Sequence, residues 1–186
     1  AESLFWTFCD DYIELVKDRA NDFSGSHDAT AVHSARTALA IAVDTFVRLF
    51  APFLPFVTEE VWSWYRTGSV HRSAWPQAAG LRAAAGGANA GLVTRAGLAL
   101  AALRKVKSEA KTSQRTPILS VAVTAEPAVA DAIESVRTDL IEAAKVTGPF
   151  EVARTPASAD SSVSPVSVTT VELGEAPARS RSTKRS

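Results

Sequence analysis

Four basic residues in the middle of the chain are the strongest candidates for binding chemistry. At 100° per residue on a helix, Arg104, Lys107 and Lys111 fall within about 60° of one another, and Arg115 follows just past the predicted helix end. Residues 102–116 hold five bases and one acid, whereas a solvated face usually intersperses the two signs. The spacing alone leaves two interpretations equally open: a solvated face, or a face that binds phosphate groups.

Phe5 and Trp6 are the aromatic candidates, since unpaired RNA bases stack on rings of this kind. Because the two residues are adjacent on a predicted helix, their rings cannot both face its buried side. One interpretation is core packing for the first ring and contact with a neighbouring domain for the second. The other is that one of the two rings contacts RNA.

Three acids near the N-terminus, Asp10, Asp11 and Glu14, invite comparison with a metal or acid–base site. Asp10 and Glu14 share a helix face, but Lys17 and Arg19 lie near them and no histidine falls in the same turn. The three histidines also lack metal-ligand spacing with one another and with the single cysteine. We therefore expect surface ion pairs here, and predict neither a metal site nor a catalytic residue.

Composition limits the class of protein. The 186 residues are 46% hydrophobic and 22% charged, with a net charge of zero, which is typical of a soluble globular protein. No apolar run is long enough to span a membrane and the N-terminus does not resemble a secretory leader, so we expect a cytoplasmic protein with a buried free thiol at Cys9. The absence of methionine favours the end piece of a longer polypeptide.

The apolar spacing predicts a four-helix bundle in the first part of the chain. The helices are expected at about residues 3–20, 29–50, 58–66 and 92–110, and residues 77–91 form either a flexible loop or a frayed helix. A corner with two prolines separates the second and third helices, and Thr58 can cap the third. The residues expected to bury this corner are Phe50, Phe53, Leu54, Phe56 and Trp62.

After Thr116 and Pro117 the period of the pattern changes. Strands are predicted at residues 118–124, 150–154 and 166–173, with one helix over residues 127–146. The predicted fold class is therefore mainly α, with a four-helix bundle followed by a small α+β appendix. The predicted divisions are 1–113 for the bundle, 114–174 for the α+β part and 175–186 for a disordered basic tail.

Four stretches carry a resemblance to a known family. They are LFAPFLPFVTEEVWSWYR (49–66), FWTFCDDYIELVK (5–17), SVHRSAWP (69–76) and LRKVKSEAKTSQRTPI (103–118). The first resembles the corner of the anticodon-binding helical domain of class I aminoacyl-tRNA synthetases for branched aliphatic amino acids. Together, in this order and spacing, the four resemble most closely the C-terminal region of the valyl-tRNA synthetases. The resemblance covers residues 1–125 well and the remainder weakly.

The resemblance implies a function in tRNA binding. The expected partners are tRNA(Val) and the catalytic domain of a parent chain, with the piece itself a monomer. Contact with the tRNA backbone becomes the favoured role for Arg104, Lys107, Lys111 and Arg115, and one of Phe5 and Trp6 is expected near the anticodon loop. Both signature motifs of the catalytic domain, of the His-Ile-Gly-His and Lys-Met-Ser-Lys-Ser types, are missing from the sequence. Valylation, with its ATP and Mg²⁺, would therefore belong to the parent, and this piece is expected to need no cofactor.

Two alternatives stay open. The chain could be a bundle derived from a synthetase that now binds protein, or the same domain of an isoleucyl- or leucyl-tRNA synthetase. The CDDYIELVK sequence (residues 9–17) and the SVHRSAWP connector (69–76) favour the valyl family. An autonomous enzyme is disfavoured because no pairing of a nucleophile with a base is visible.

Overall fold

A computed structural model describes residues 2–22, 25–89, 91–158 and 162–175. Helices dominate the fold, and a small three-stranded mixed sheet completes it. This arrangement confirms the expected class, mainly α with a small α+β part. The chain forms two compact units, which we call unit one (residues 1–10 and 16–90) and unit two (residues 11–15 and 91–186).

Unit one is built from helices. The helical segments along this part of the chain are α1 (Glu2–Thr7), a π-helical segment (Phe8–Tyr12), α2 (Ile13–Asn21), α3 (Ala29–Phe50), α4 (Pro55–Ser63), a 3-10 turn (Val70–Arg72) and α5 (Ala78–Ala85). Helix α3 begins where predicted because the Asp28 carboxylate accepts hydrogen bonds from the backbone N–H groups of Thr30 and Ala31, at 3.0 and 3.2 Å. Helix α5 resolves one open alternative, since residues 78–85 are helical.

The start of α4 differs from the prediction. The helix begins at Pro55, and the cap position is held by Leu54, whose side chain makes no capping hydrogen bond. Proline suits the first helical position because its missing N–H would have no partner there. Thr58 therefore lies inside the helix, where its buried hydroxyl donates to the Leu54 carbonyl oxygen at 2.8 Å. The prediction that Thr58 caps this helix is wrong.

The corner is only partly buried. Trp62, at 8% exposed, packs with Val47, Ala51 and Val70, as expected for a core residue. The prediction is wrong for the three residues at the start of the corner, which are exposed: Phe53 (77%), Leu54 (51%) and Phe56 (90%). A nine-residue helix turns one face toward its unit, and here Trp62 and its neighbours occupy that face.

Unit two combines helix α6 (Leu92–Glu109) with a sheet and two further helices. The remaining elements are β1 (Ile118–Ala125), α7 (Pro127–Ser135), α8 (Arg137–Ala144), β2 (Phe150–Arg154) and β3 (Val166–Leu173). All three strands lie where the sequence predicts them. The single predicted helix of residues 127–146 is two helices, which meet at Val136 (φ −122°).

The sheet has the order β2-β1-β3. Strand β1 pairs in parallel with β2, with Val121 opposite Phe150, and antiparallel with β3, with Val121 also opposite Val171. Helices α7 and α8 form the crossover that two parallel neighbouring strands require. The core of the unit lies where α6 and these helices meet the sheet, and includes Leu100, Ile133 and Leu140, each at most 1% exposed.

By its contacts, helix α6 belongs to unit two, together with the strands. The sequence pattern placed this helix in a bundle ending at residue 113. The division at 113 and the four-helix bundle stay predictions. Of the predicted tail, residues 176–186 lie outside the described residues. No helix in the described ranges combines the length and apolarity needed to cross a membrane.

Candidate nucleic-acid interface

Arg104 is the first of the four predicted basic contacts, and it is half-buried on α6. Its Nη2 donates to the Oε2 of Glu14 at 2.5 Å, and both side chains are about one-third exposed. The ion pair expected for the N-terminal acids is therefore made by Glu14, with a partner 90 residues away in the sequence. A guanidinium carries several N–H donors in a planar fork, so one that pairs with a carboxylate can also bind a phosphate.

Lys107 is the second, and it is buried, with 1% of its surface exposed. Its Nζ donates to the carbonyl oxygens of Gln114, at 3.0 Å, and Ala144, at 2.6 Å. Burial lowers the pKa of its amine, and the nearby charges of Lys145 and Arg104 lower it further. The prediction that Lys107 lies on an exposed basic face is wrong, because the residue continues the buried stripe of Leu100 and Leu103 on the same side of α6.

Lys111 and Arg115 are exposed and lie in the loop that follows α6. Lys111 has a left-handed backbone (φ 53°), which turns the chain back at the helix end. The loop is held against the last turn of α6 by the side chain of Gln114, whose Nε2 donates to the Arg104 carbonyl oxygen at 3.3 Å and to the Ser108 hydroxyl at 3.1 Å. Two cations are thus presented on a loop with fixed geometry.

The two N-terminal aromatic residues have different environments, as their adjacency predicts. Phe5 packs into unit one, with ring centroids 5.6 Å from Phe46 and 5.3 Å from Phe50. Trp6 is 54% exposed and meets the Phe5 ring edge to face at 5.6 Å. Of the two rings, Trp6 is the one available to a base, and its role in RNA binding stays a prediction.

Unit one also contains a groove that the sequence pattern did not predict. The groove has a volume of about 500 Å³, and Asp44, Arg48, Arg66, Trp75 and Gln77 are among its lining residues. Arg48 and Arg66 share one carboxylate, since both pair with Asp44, the second at 3.3 Å. Two guanidinium groups against one carboxylate leave a local positive excess.

The groove combines an exposed ring with cations. Trp75, in the SVHRSAWP connector, is 54% exposed. Arg48 holds the connector, donating from Nη1 to the Ala74 carbonyl oxygen at 3.2 Å. Arg66 is 56% exposed at its side chain, and its charge lies 5.8 Å from the ring centre of Tyr65. Burial, together with the Asp44 carboxylate, raises the pKa of Tyr65.

An exposed indole beside guanidinium groups is an arrangement that accepts a stacked, unpaired base and its phosphate. The available signal was the i, i+4 pair of Asp44 and Arg48 on the outer face of α3. The connector contacts that face of α3 through tertiary structure, which the sequence pattern does not indicate. In the described part of the chain, no group of three or more His, Cys, Asp or Glu side chains is placed so that it could hold a metal ion.

Comparison with known proteins identifies the family. Residues 1–123 match the anticodon-binding domain family of tRNA ligases. A valine--tRNA ligase of Bifidobacterium longum (strain DJO10A) is 49% identical over 188 residues, which cover 96% of this chain and 21% of that protein. The valine--tRNA ligase of Cutibacterium acnes is 51% identical over 144 residues, covering 77% and 16% respectively. That of Thermobifida fusca is 47% identical over 146 residues, covering 78% and 16%.

The chain spans about a fifth, or less, of the length of these curated relatives. The sequence identities are higher than a shared fold alone would produce. The family match includes the corner, the connector and the basic helix. The chain belongs to the anticodon-binding domain family of tRNA ligases.

Proposed function

We propose that this chain is the anticodon-binding part of a valine--tRNA ligase and holds tRNA(Val) so that the acceptor end reaches a catalytic domain. The observation that carries the proposal is the match to valine--tRNA ligases at about half identity over most of the chain. Catalysis then gains from positioning, because a tRNA held in the productive orientation loses less freedom on reaching the transition state. The same relatives favour the valyl over the isoleucyl and leucyl alternatives.

The proposed phosphate contacts are Lys111 and Arg115, which are exposed, with Arg104 as a third that shares its charge with Glu14. Lys107 is left out because its ammonium is buried against two carbonyl oxygens. The proposed base contacts are Trp6, whose ring meets that of Phe5 edge to face, and Trp75 in the groove of unit one.

Several further parts of the function rest on the same proposal. Valylation and the use of ATP and Mg²⁺ belong to the catalytic domain of the longer enzyme, and this chain takes no cofactor. A cytoplasmic location, a monomeric chain and a four-helix anticodon-binding bundle are proposed with it. A test for the first point is to mix the chain with valine, ATP and tRNA(Val), where pyrophosphate exchange above background would contradict it.

The phosphate contacts are tested by titrating labelled tRNA(Val) with the chain at several salt concentrations. Reversing Lys111 and Arg115 to Glu should weaken binding to every tRNA alike and reduce the salt slope by roughly one for each phosphate that is no longer neutralised. The matched control is Arg154→Glu. Arg154 is also exposed, but its backbone lies opposite Ala125, at the end of β1 that is far from Lys111 and Arg115 in the sequence. Equal effects of the two charge reversals would contradict the assigned interface.

The base contacts need a different readout. Stacking on an aromatic ring is worth about 1–3 kcal/mol per base and tolerates every base, so Trp6→Ala or Trp75→Ala should weaken tRNA binding without changing the salt slope. Trp64→Ala is the control, because that ring is 71% exposed but donates its indole N–H to the Glu60 carboxylate at 3.1 Å. A loss of binding accompanied by a weaker helical circular dichroism signal would assign these rings to folding instead.

The alternative is a bundle that binds protein and no RNA. The exposed apolar residues at the start of α4 favour a protein contact of some kind. Indifference of tRNA binding to the double charge reversal, in a variant with an unchanged helical circular dichroism spectrum, would favour this alternative.

A further inference from the structure

Helix α4 is apolar on two opposite faces. Thr58 and Trp62 lie on the face that packs into unit one, with 5% and 8% of their surfaces exposed. Phe56 precedes Thr58 by two residues, which places it about 160° away around the helix. A helix that is hydrophobic on all sides is normally buried on all sides. The outer face of α4 is therefore an apolar surface that no element among the described residues of unit one covers.

The outer face and the turn before it form one surface, which we call the α4 patch. Its residues are Phe53 (77% exposed), Leu54 (51%), Phe56 (90%), Val57 (53%) and Trp64 (71%). Val57, Glu60 and Trp64 follow one another at helical spacings of three and four, so they share a side of the helix. Large contiguous apolar patches on soluble proteins mark interaction sites.

The charges on helix α4 disfavour phosphate as the ligand of the α4 patch. Helix α4 contains no basic residue, and its two charges are the carboxylates of Glu59 and Glu60. Glu60 accepts the Trp64 indole N–H at 3.1 Å, and Glu59 accepts the Val70 backbone N–H at 3.0 Å. Nucleic acid would meet like charge here, whereas an apolar protein surface with a polar rim would be complementary.

A second copy of the chain is also a poor occupant. An isologous dimer through the α4 patch would place each Glu60 near its symmetry mate, and two carboxylates would be desolvated together. The relatives supply a better candidate, since the matched region is only 21% of the Bifidobacterium longum ligase. Most of a ligase of this family is thus protein that lies outside the matched region.

We infer that the α4 patch is the surface on which the catalytic part of the longer ligase docks. The inference rests on the proposed function and adds the place of the interdomain contact. Phe53 and Phe56 are its apolar anchors, and Glu60 with Trp64 forms its polar edge. The contact joins unit one to the catalytic part through α4. This helix takes no part in the proposed RNA contacts.

Hydroxyl-radical footprinting tests the inference in the whole enzyme. The chain replaces the matching region of the Bifidobacterium longum ligase, and oxidation of the α4 patch is compared with that of the free chain. Phe53 and Phe56 should react roughly tenfold more slowly in the chimera, because these exposed anchor rings would become as buried as interface core residues. Two further arms use the free chain with tRNA(Val) and the free chain at high concentration. Protection of the α4 patch in either of these arms would assign it to RNA or to a second copy and overturn the inference.

Binding in trans gives a second measurement that does not depend on the chimera. The chain is titrated into the same ligase lacking those residues, as wild type, Val57→Glu and Val163→Glu. The two valines are matched, each 53% exposed, but Val163 lies in unit two. Val57→Glu should weaken binding roughly tenfold or more, since a carboxylate would be buried against an apolar surface, and Val163→Glu should not. No protection in the chimera together with no binding in trans overturns the inference. Loss of tRNA binding with the α4 patch still protected would overturn the proposed function instead.

Discussion

The Nζ atom of Lys107 donates a hydrogen bond to the carbonyl oxygen of Ala144 at 2.6 Å, from a side chain that is 1% exposed. Ala144 is the last residue of α8, where carbonyl groups lack partners within the helix and the helix dipole is negative. Lys107, which was predicted to bind RNA, thus caps the C-terminus of α8 and links α6 to that helix.

Replacing Lys107 by Met tests this role. The change removes the donor and leaves the carbonyl oxygens of Gln114 and Ala144 with one partner fewer, while it also relieves the cost of a buried charge. We expect a net loss of about 1–3 kcal/mol in the free energy of unfolding, measured with urea. Lys105→Met on the same helix is the control, since Lys105 is 75% exposed and should change stability by less than about 0.5 kcal/mol. Equal stabilities for the two variants would contradict the assigned role.

The stability contributed by Lys107 should rise with pH. Its folded-state pKa is lowered from 10.5 by burial, so the unfolded chain binds more protons between the folded pKa and 10.5. Stability is therefore lost as the pH falls through this window and regained as it rises. The measurement is the difference in unfolding free energy between wild type and Lys107→Met from about pH 8 to about pH 10.5, which should grow with pH. A difference that shrinks would show that the charged amine is the stabilising form.

Gly148 is required by a close backbone approach. A Cβ at this position would lie 1.9 Å from the Leu119 carbonyl oxygen of β1. Gly148→Ala must therefore push apart the start of β2 and β1, which should lower the free energy of unfolding by about 1–3 kcal/mol or more. Gly80→Ala is the matched control, because no atom lies within 4 Å and alanine favours the helix α5. If both variants were neutral in urea unfolding, β1 and β2 would have room to separate at this point.

The corner separates core aromatics from surface ones. Trp62→Ala should lower the free energy of unfolding by about 3–5 kcal/mol, because the ring packs with Val47, Ala51 and Val70. Phe56→Ala should change it by less than about 0.5 kcal/mol in the free chain, since that ring is 90% exposed. Thermal and urea unfolding of the two variants give the comparison. A large loss from Phe56→Ala alone would place this ring in the core of unit one and remove the α4 patch.

Local patterns determined most of the secondary structure. The strands of residues 118–125, 150–154 and 166–173 and the helix starting after Asp28 depend on alternation, β-branching and capping, which involve neighbours in the sequence. The family could also be recognised from the sequence, because four short stretches of the chain resemble it. Two predicted boundaries were wrong: α4 begins at Pro55, ahead of the predicted cap Thr58, and the helix predicted over residues 127–146 is interrupted at Val136.

The tertiary structure decided which residues of these elements are available for binding. The apolar period shows that Lys107 borders the stripe of α6, but its burial depends on a carbonyl oxygen 37 residues away. Likewise, α4 has two apolar faces of similar character, and only the packing of Trp62 against α3 and the 3-10 turn selects the buried one. The groove of Trp75 and Arg66 arises in the same way, from a connector that returns to α3. Burial and satisfied hydrogen bonds are properties of contacts between distant segments, so the sequence pattern could place these side chains on a helix but could not determine which of them reach solvent.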